Sequence, residues 1–424
     1  MTFIKSIFIH FLLLLSVKFC VQATNLENNA CTSLWSYPIK DISPNCFYNP
    51  NVLSTTPLMI IQNGYEVFTY YVTTPDGYVL EIFRIPPKED DNRKNKQPII
   101  LEHGIFVDSG SWIFTGNGSL AITLASMGYD VWLSNQRGTR YSRTHNTLNA
   151  AGYDYWLYSI DQVASNDVPT ILEKVALETG KSGSIIYIGH SRGSTLIFMY
   201  ASTFPQKTEK LLKGIIALSP VVYLDLDWYL KPLGKLGPLI GNILLKLGVS
   251  VINRYFEITV NLLQHICRWV PYLCKFAATL SSGRSNHLRP EDLLAYFSHY
   301  PASIAVMQLI QYTQIYISDK FQKYDYGLKN LEIYKQVNPP VYHLCNITTP
   351  VFMFYGKHDI VIKTQNVERL YNELGSKKKN FTSVPSFSNE DDEQFGHNDF
   401  FWTKDLDKYL YKDLFAVLEI ELST

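Results

Sequence analysis

Ser184-Ile185-Ile186-Tyr187-Ile188-Gly189-His190-Ser191-Arg192-Gly193-Ser194-Thr195-Leu196-Ile197-Phe198-Met199-Tyr200 carries the reading of the fold. It opens on an apolar β-type run, tightens at a serine set between two glycines, and continues as a helical pattern. The five-residue pattern Gly-x-Ser-x-Gly is weak by itself. Its setting between a strand and a helix makes it specific, because a sharp turn there lifts the serine hydroxyl above a sheet. The two glycines let the strand and helix backbones approach closely.

Working outward, further β-type runs flank this segment. Pro98-Ile99-Ile100-Leu101-Glu102 stops at His103-Gly104. Tyr129-Asp130-Val131-Trp132-Leu133 precedes Asn135. Gly214-Ile215-Ile216-Ala217-Leu218 ends before Pro220, and Pro350-Val351-Phe352-Met353-Phe354-Tyr355 ends at Gly356. Helical patterns at 168–178 and 195–203 fall between them. Apolar strands alternating with helices predict an α/β fold, its mostly parallel sheet covered on both faces. The stretch from Val221 to about residue 345 lacks clear strands and reads as helical. Within it, residues 236–280 carry only Lys246, Arg254, Glu257, Arg268 and Lys275 as charges, yet no uncharged run reaches the length of a membrane span. Buried helices of one large core would explain it. A cap with an apolar inner face explains its position better, because it interrupts the strands whose ends carry the reactive groups.

A serine needs a base to take its proton, and the base needs an acid to orient it. In strand–elbow–helix folds of this kind the chain order is serine, acid, histidine. Asp359 follows the fifth apolar run in Tyr355-Gly356-Lys357-His358-Asp359. Of the 10 histidines only His397 lies beyond it, so the order selects Ser191, Asp359 and His397. The amide of Arg192 is one natural donor to a developing oxyanion, and the second is expected from the loop at His103-Gly104-Ile105.

The chain has 424 residues, 46% hydrophobic and 18% charged, with 38 basic and 38 acidic side chains. That balance excludes a basic footprint for nucleic acid and argues against intrinsic disorder. Residues 1–23 combine Lys5, an apolar run from Ile7 to Val17 and Val21-Gln22-Ala23, the pattern of a secretory signal peptide. A membrane anchor is the rival reading, but the run is short for a span. Asn117, Asn346 and Asn380 begin glycosylation sequons. Beyond the leader, Cys31, Cys46, Cys267, Cys274 and Cys345 leave at least one thiol without an internal partner. Proximity favours a Cys267–Cys274 disulfide, with Cys31–Cys46 a second candidate. No zinc-type ligand spacing occurs, so no metal or cofactor is expected.

With these residues assembled, the chain resembles the acid lipases of animals: gastric and lingual lipase, lysosomal acid lipase and their insect relatives. The resemblance spans nearly all of the chain beyond the leader. It rests on Leu101-Glu102-His103-Gly104, on Gly128-Tyr129-Asp130-Val131-Trp132-Leu133 with Asn135 and Arg137-Gly138, and on Tyr141-Ser142-Arg143-Thr144-His145. It continues through Trp156, Asp161, Asp167, Pro169, the serine elbow, Tyr355-Gly356 with Asp359, and His397-Asn398-Asp399-Phe400-Phe401-Trp402. It implies an α/β-hydrolase core at 24–220 and 346–424 and a helical cap with a mobile lid at 221–345. It also implies oxyanion donors at Ile105 and Arg192, and a cap disulfide like Cys267–Cys274. The substrates it implies are triacylglycerols or sterol esters met at a lipid–water interface, often at acidic pH.

Glu102 and Arg192 depart from the family, which usually has glutamine at both positions. An ion pair between them is one arrangement open to the chain. The segment between Asp359 and His397 carries an acidic run, Glu390-Asp391-Asp392-Glu393, read as a solvated loop rather than as a group acting on His397. The expected protein is a secreted or lysosomal serine lipase. A carboxylesterase for short or soluble esters and a non-catalytic lipid carrier on the same fold are the rivals. Acyl length, head group and oligomeric state stay open.

Overall fold

The computed structural model describes residues 27–88, 97–283, 285, 287–386 and 394–422. The expected leader at 1–23 and the acidic run Glu390-Asp391-Asp392-Glu393 lie outside the described residues. One sheet organises the chain: β1 (Phe68–Thr73), β2 (Tyr78–Ile85), β3 (Pro98–Glu102), β4 (Asp130–Leu133), β5 (Thr144–His145), β6 (Ile185–His190), β7 (Leu212–Leu218), β8 (Val351–Gly356) and β9 (Lys379–Val384). The order is β9-β8-β7-β6-β3-β4-β2-β1, with β5 paired to β2. Strands β9 to β4 along that path run parallel, and β1, β2 and β5 join antiparallel.

All residues of β3, β4, β6 and β8 are buried, as strands covered on both faces must be. Side chains alternate between two cores. Ile99, Leu101, Ile186 and Ile188 join one, and Ile100, Trp132, Ile185 and Tyr187 join the other. Each of the five apolar runs read from sequence forms a strand within a residue or two of its reading. The sequence reading missed the outer strands β1, β2, β5 and β9. These are partly exposed and carry polar residues such as Glu81, Arg84 and Asn380, so no apolar run marks them.

Helices α1 (Val168–Thr179) and α2 (Arg192–Thr203) connect the parallel strands. Between β7 and β8 the chain builds α3 (Lys231–Lys246), α4 (Phe256–Trp269), α5 (Pro271–Ser282) and α6 (Val306–Ser318). A short antiparallel ribbon of Val251–Ile252 with Ile304–Ala305 lies among them, a strand pairing the sequence did not signal. On α3, Gly234, Gly237 and Gly241 face α6. A Cβ at 237 would overlap Thr313 and one at 241 would overlap Ile310, so the glycines set how closely the two helices pack. The other sides of these helices are apolar and open. Leu233, Leu239, Leu262, Leu273 and Phe276 are each more than half exposed.

Disulfides join Cys31 to Cys46 and Cys267 to Cys274, the second across the turn between α4 and α5. Cys345 is free and exposed. Among the described residues no helix is long and apolar enough to cross a membrane.

Candidate active site

Strand β6 ends at His190, and the next residue begins a reversal. Ser191 has φ 53° and ψ −113°, a backbone state that costs a non-glycine residue on the order of 1–3 kcal/mol. The flanking glycines make the turn possible. A Cβ on Gly189 would lie 2.6 Å from the Gly193 carbonyl carbon, and one on Gly193 would overlap the Glu102 carbonyl of β3. The Ser191 amide donates to the Leu218 carbonyl at 2.9 Å, which fastens the elbow to β7.

The structure brings the three residues chosen by chain order together. His397 Nε2 lies 2.8 Å from Ser191 Oγ, and His397 Nδ1 lies 2.6 Å from Asp359 Oδ2. Asp359 sits in the turn after β8. Its Oδ1 accepts the amides of Val361 at 2.8 Å and Ile362 at 3.2 Å, which fixes the carboxylate. With Nδ1–H donated to that carboxylate, Nε2 is free to accept the serine proton. Two residues that sequence reading missed hold the histidine. The His397 amide donates to the Ser282 carbonyl at 2.7 Å, at the end of α5. His190 Nε2 donates to the His397 carbonyl at 2.7 Å. Burial, then the neighbouring His397, holds His190 well below the ordinary histidine range, so it stays neutral. Gly283 adds a backbone bridge to Asp359.

The loop after β3 abuts the elbow. A Cβ on Gly104 would come within 3.2 Å of Ser191 Cβ. His103 Nε2 accepts the Gln136 amide at 3.2 Å, so Nδ1 carries the proton and donates to the Gly104 carbonyl at 2.9 Å. Burial, then the charge of Arg192, lowers His103 to about 3 and keeps it neutral. Phe106 takes φ 61°, and its carbonyl accepts the Ala302 amide at 2.6 Å. Ile105 is half-buried beside Ser191.

Glu102 and Arg192 do not form the ion pair open to them in the sequence. Glu102 Oε1 accepts Gln136 Nε2 at 2.7 Å. The Arg192 guanidinium donates from Nη1 to Gln308 Oε1 at 2.8 Å and from Nη2 to the Gly104 carbonyl at 3.4 Å. Burial pushes Glu102 up to about 7, against the lowering effect of its hydrogen bond from Gln136. Gln308 belongs to α6, more than a hundred residues from its partner, and no sequence signal marks it.

A cavity of about 460 Å³ opens on the serine and histidine. Apart from these its walls are mostly apolar, with Leu233 and Ile240 from α3 and Leu309 and Ile310 from α6 among the lining residues. The glycine spacing on α3 is the signal that was legible and went unread, since it marks a helix face built for close approach. Asn117, Asn346 and Asn380 are all exposed.

Comparison with known proteins bears on what this geometry serves. A family model described as "Partial alpha/beta-hydrolase lipase region" matches residues 56–116, and one described as "Serine aminopeptidase, S33" matches residues 94–388. The chain is 29% identical over 384 residues to lipase member N of Homo sapiens, spanning 88% of this chain and 92% of that one. It is 30% identical over 380 residues to gastric triacylglycerol lipase of Mus musculus, spanning 87% and 93%. Among solved structures it is similar to a soluble variant of monoglyceride lipase from Saccharomyces cerevisiae with a substrate analogue. The TM-score is 0.55 at 17% identity, covering 89% of this chain and 98% of that one, a likeness of fold.

Proposed function

Because the chain belongs to the α/β-hydrolase lipases, the family of gastric triacylglycerol lipase, we propose that Ser191, His397 and Asp359 are its catalytic groups and neutral lipid esters its substrates. The protein is a lipase, an ester hydrolase acting on lipids. His397 takes the Ser191 proton as Oγ attacks the ester carbonyl, and Asp359 stabilises the imidazolium that forms. The amides of Ile105 and Arg192 receive the negative charge that develops on the carbonyl oxygen. His397 then gives its proton to the leaving alcohol, and a water molecule releases the fatty acid from Ser191.

The observation that carries this reading is the hydrogen-bonded chain Ser191–His397–Asp359 opening on an apolar cavity. Such a cavity suits an acyl chain better than a polar substrate. Triacylglycerols or sterol esters are the proposed substrates, met at a lipid–water interface. Delivery through the secretory pathway, to an extracellular fluid or a lysosome, is supported by the leader pattern at 1–23 and by three exposed sequons.

Labelling with a lipid-like phosphonate tests the nucleophile, and hydrolysis of a panel of acylglycerols and sterol esters at several pH values tests the substrate. The expected result is a single adduct on Ser191, absent in Ser191→Ala, and activity on long-chain esters. A folded protein that neither reacts with the phosphonate nor cleaves any ester would return the fold to a carrier role. Activity confined to short soluble esters would make it a carboxylesterase.

A further inference from the structure

Arg192 contributes its backbone amide at the first turn of α2, but its side chain is also placed with purpose. The guanidinium is fully buried, and burial disfavours its charge. A buried cation is costly unless it is paired and hydrogen-bonded, and packing alone would be met by an apolar residue of similar length. The acid that acts on it most strongly, Glu102, bonds elsewhere, to Gln136. The two groups the guanidinium does reach are the Gly104 carbonyl and the Gln308 side chain of α6.

The Gly104 carbonyl shares a rigid peptide plane with the Ile105 amide. In a trans peptide the two point in opposite directions. Fixing the carbonyl therefore fixes where the amide points. His103 holds that carbonyl from within the same loop at 2.9 Å, and Arg192 holds it from the elbow helix at 3.4 Å. The Gln308 contact at 2.8 Å then anchors the guanidinium to α6, whose neighbours Leu309 and Ile310 line the cavity.

We infer that the Arg192 side chain is a positioning residue for ester hydrolysis: shared between the Gly104 carbonyl and Gln308, it aims the Ile105 amide at the oxyanion and ties that aim to the helix that walls the acyl cavity. This rests on reading the Ile105 and Arg192 amides as the oxyanion donors. The contribution of the Arg192 amide is separate, because any residue but proline at 192 supplies it. Only the side chain couples the two donors to each other and to α6.

The test uses the full-length enzyme with Arg192→Met, Arg192→Lys and Gln308→Met, a p-nitrophenyl ester as substrate and a trifluoromethyl ketone as inhibitor. The ketone adds to serine and leaves an oxyanion in the same hole. Arg192→Met is expected to lower kcat by roughly 10- to 100-fold with KM within about twofold, and to weaken the ketone by a similar factor. Arg192→Lys keeps one donor and is expected to recover part of both losses. Gln308→Met, which leaves the guanidinium without its anchor, is expected to lower both by a smaller factor. The inference is overturned if Arg192→Met, or Gln308→Met should the first variant fail to fold, leaves kcat and ketone affinity at the wild-type level. It is equally overturned if kcat falls while ketone affinity stays unchanged. In either event wild-type phosphonate labelling and hydrolysis still report whether the lipase reading stands.

Discussion

Glu102 closes β3 with its carboxyl buried and one oxygen accepting from Gln136. Its folded-state value of about 7, against an ordinary 4.5, means that the folded chain keeps a proton there which the unfolded chain gives up. The linked stability is fully present below about pH 4.5 and is lost as pH rises through about 7. The full shift corresponds to roughly 3 kcal/mol. Glu102→Gln keeps an acceptor for Gln136 and removes the proton. Denaturant midpoints between pH 4.5 and 7.5 should therefore slope less for the variant than for the wild type. Parallel slopes would show that Glu102 is not holding the proton. At this scale the sequence was legible where chemistry leaves one choice. A serine between glycines, an aspartate after a strand and one histidine beyond it pick out three side chains that the structure brings within 2.8 and 2.6 Å of one another. His190, Ser282 and Gln308 were not legible. They act through backbone carbonyls or through contacts more than a hundred residues away, and neither leaves a local pattern.

The pair α3 and α6 turns a glycine spacing into the width of a cavity. Because a Cβ at 237 already meets Thr313, Gly237→Leu must push the helices apart or tilt them into the acyl space. Overpacking of this kind costs roughly 1–3 kcal/mol. The variant should lose more activity on long-chain than on short-chain esters, a ratio that kcat/KM across acyl lengths reads directly. Equal losses at every length would place the acyl chain elsewhere. The buried parallel strands were readable because each carries an unbroken apolar run, with polar residues such as Glu102, Asp130 and His190 only at its ends. The edge strands were not, since β9 shows one fully buried residue, Val384, and a remainder that is polar apart from Phe381. The helical nature of the segment between β7 and β8 was readable from its composition. Its Val251–Ile252 ribbon was not, because a two-residue strand has no period to detect.

Taken whole, the described molecule exposes a series of large apolar side chains on the helices between β7 and β8. Leu273 and Phe276 on α5, with Leu239 on α3, face solvent instead of a core. A surface of that kind marks an interaction site, and for a lipid-cleaving enzyme a lipid surface fits it. Phe276→Asp together with Leu273→Asp should lower the rate on emulsified long-chain ester by about tenfold or more while sparing a soluble short ester. Equal rates on the emulsion would remove these residues from the docking face. The wild-type rate should rise sharply once long-chain ester passes its solubility. The end of α5 adds a constraint of another kind. Ser282, the last residue of α5, and Gly283, which follows it, are also backbone props for His397 and Asp359. The helical insertion and the Ser191–His397–Asp359 chain thus meet at one short stretch of backbone. A chimaera that borrows a relative's entire insertion would import foreign props for the histidine, whereas one whose downstream junction falls before residue 282 would exchange the roof and leave the engine mounts in place.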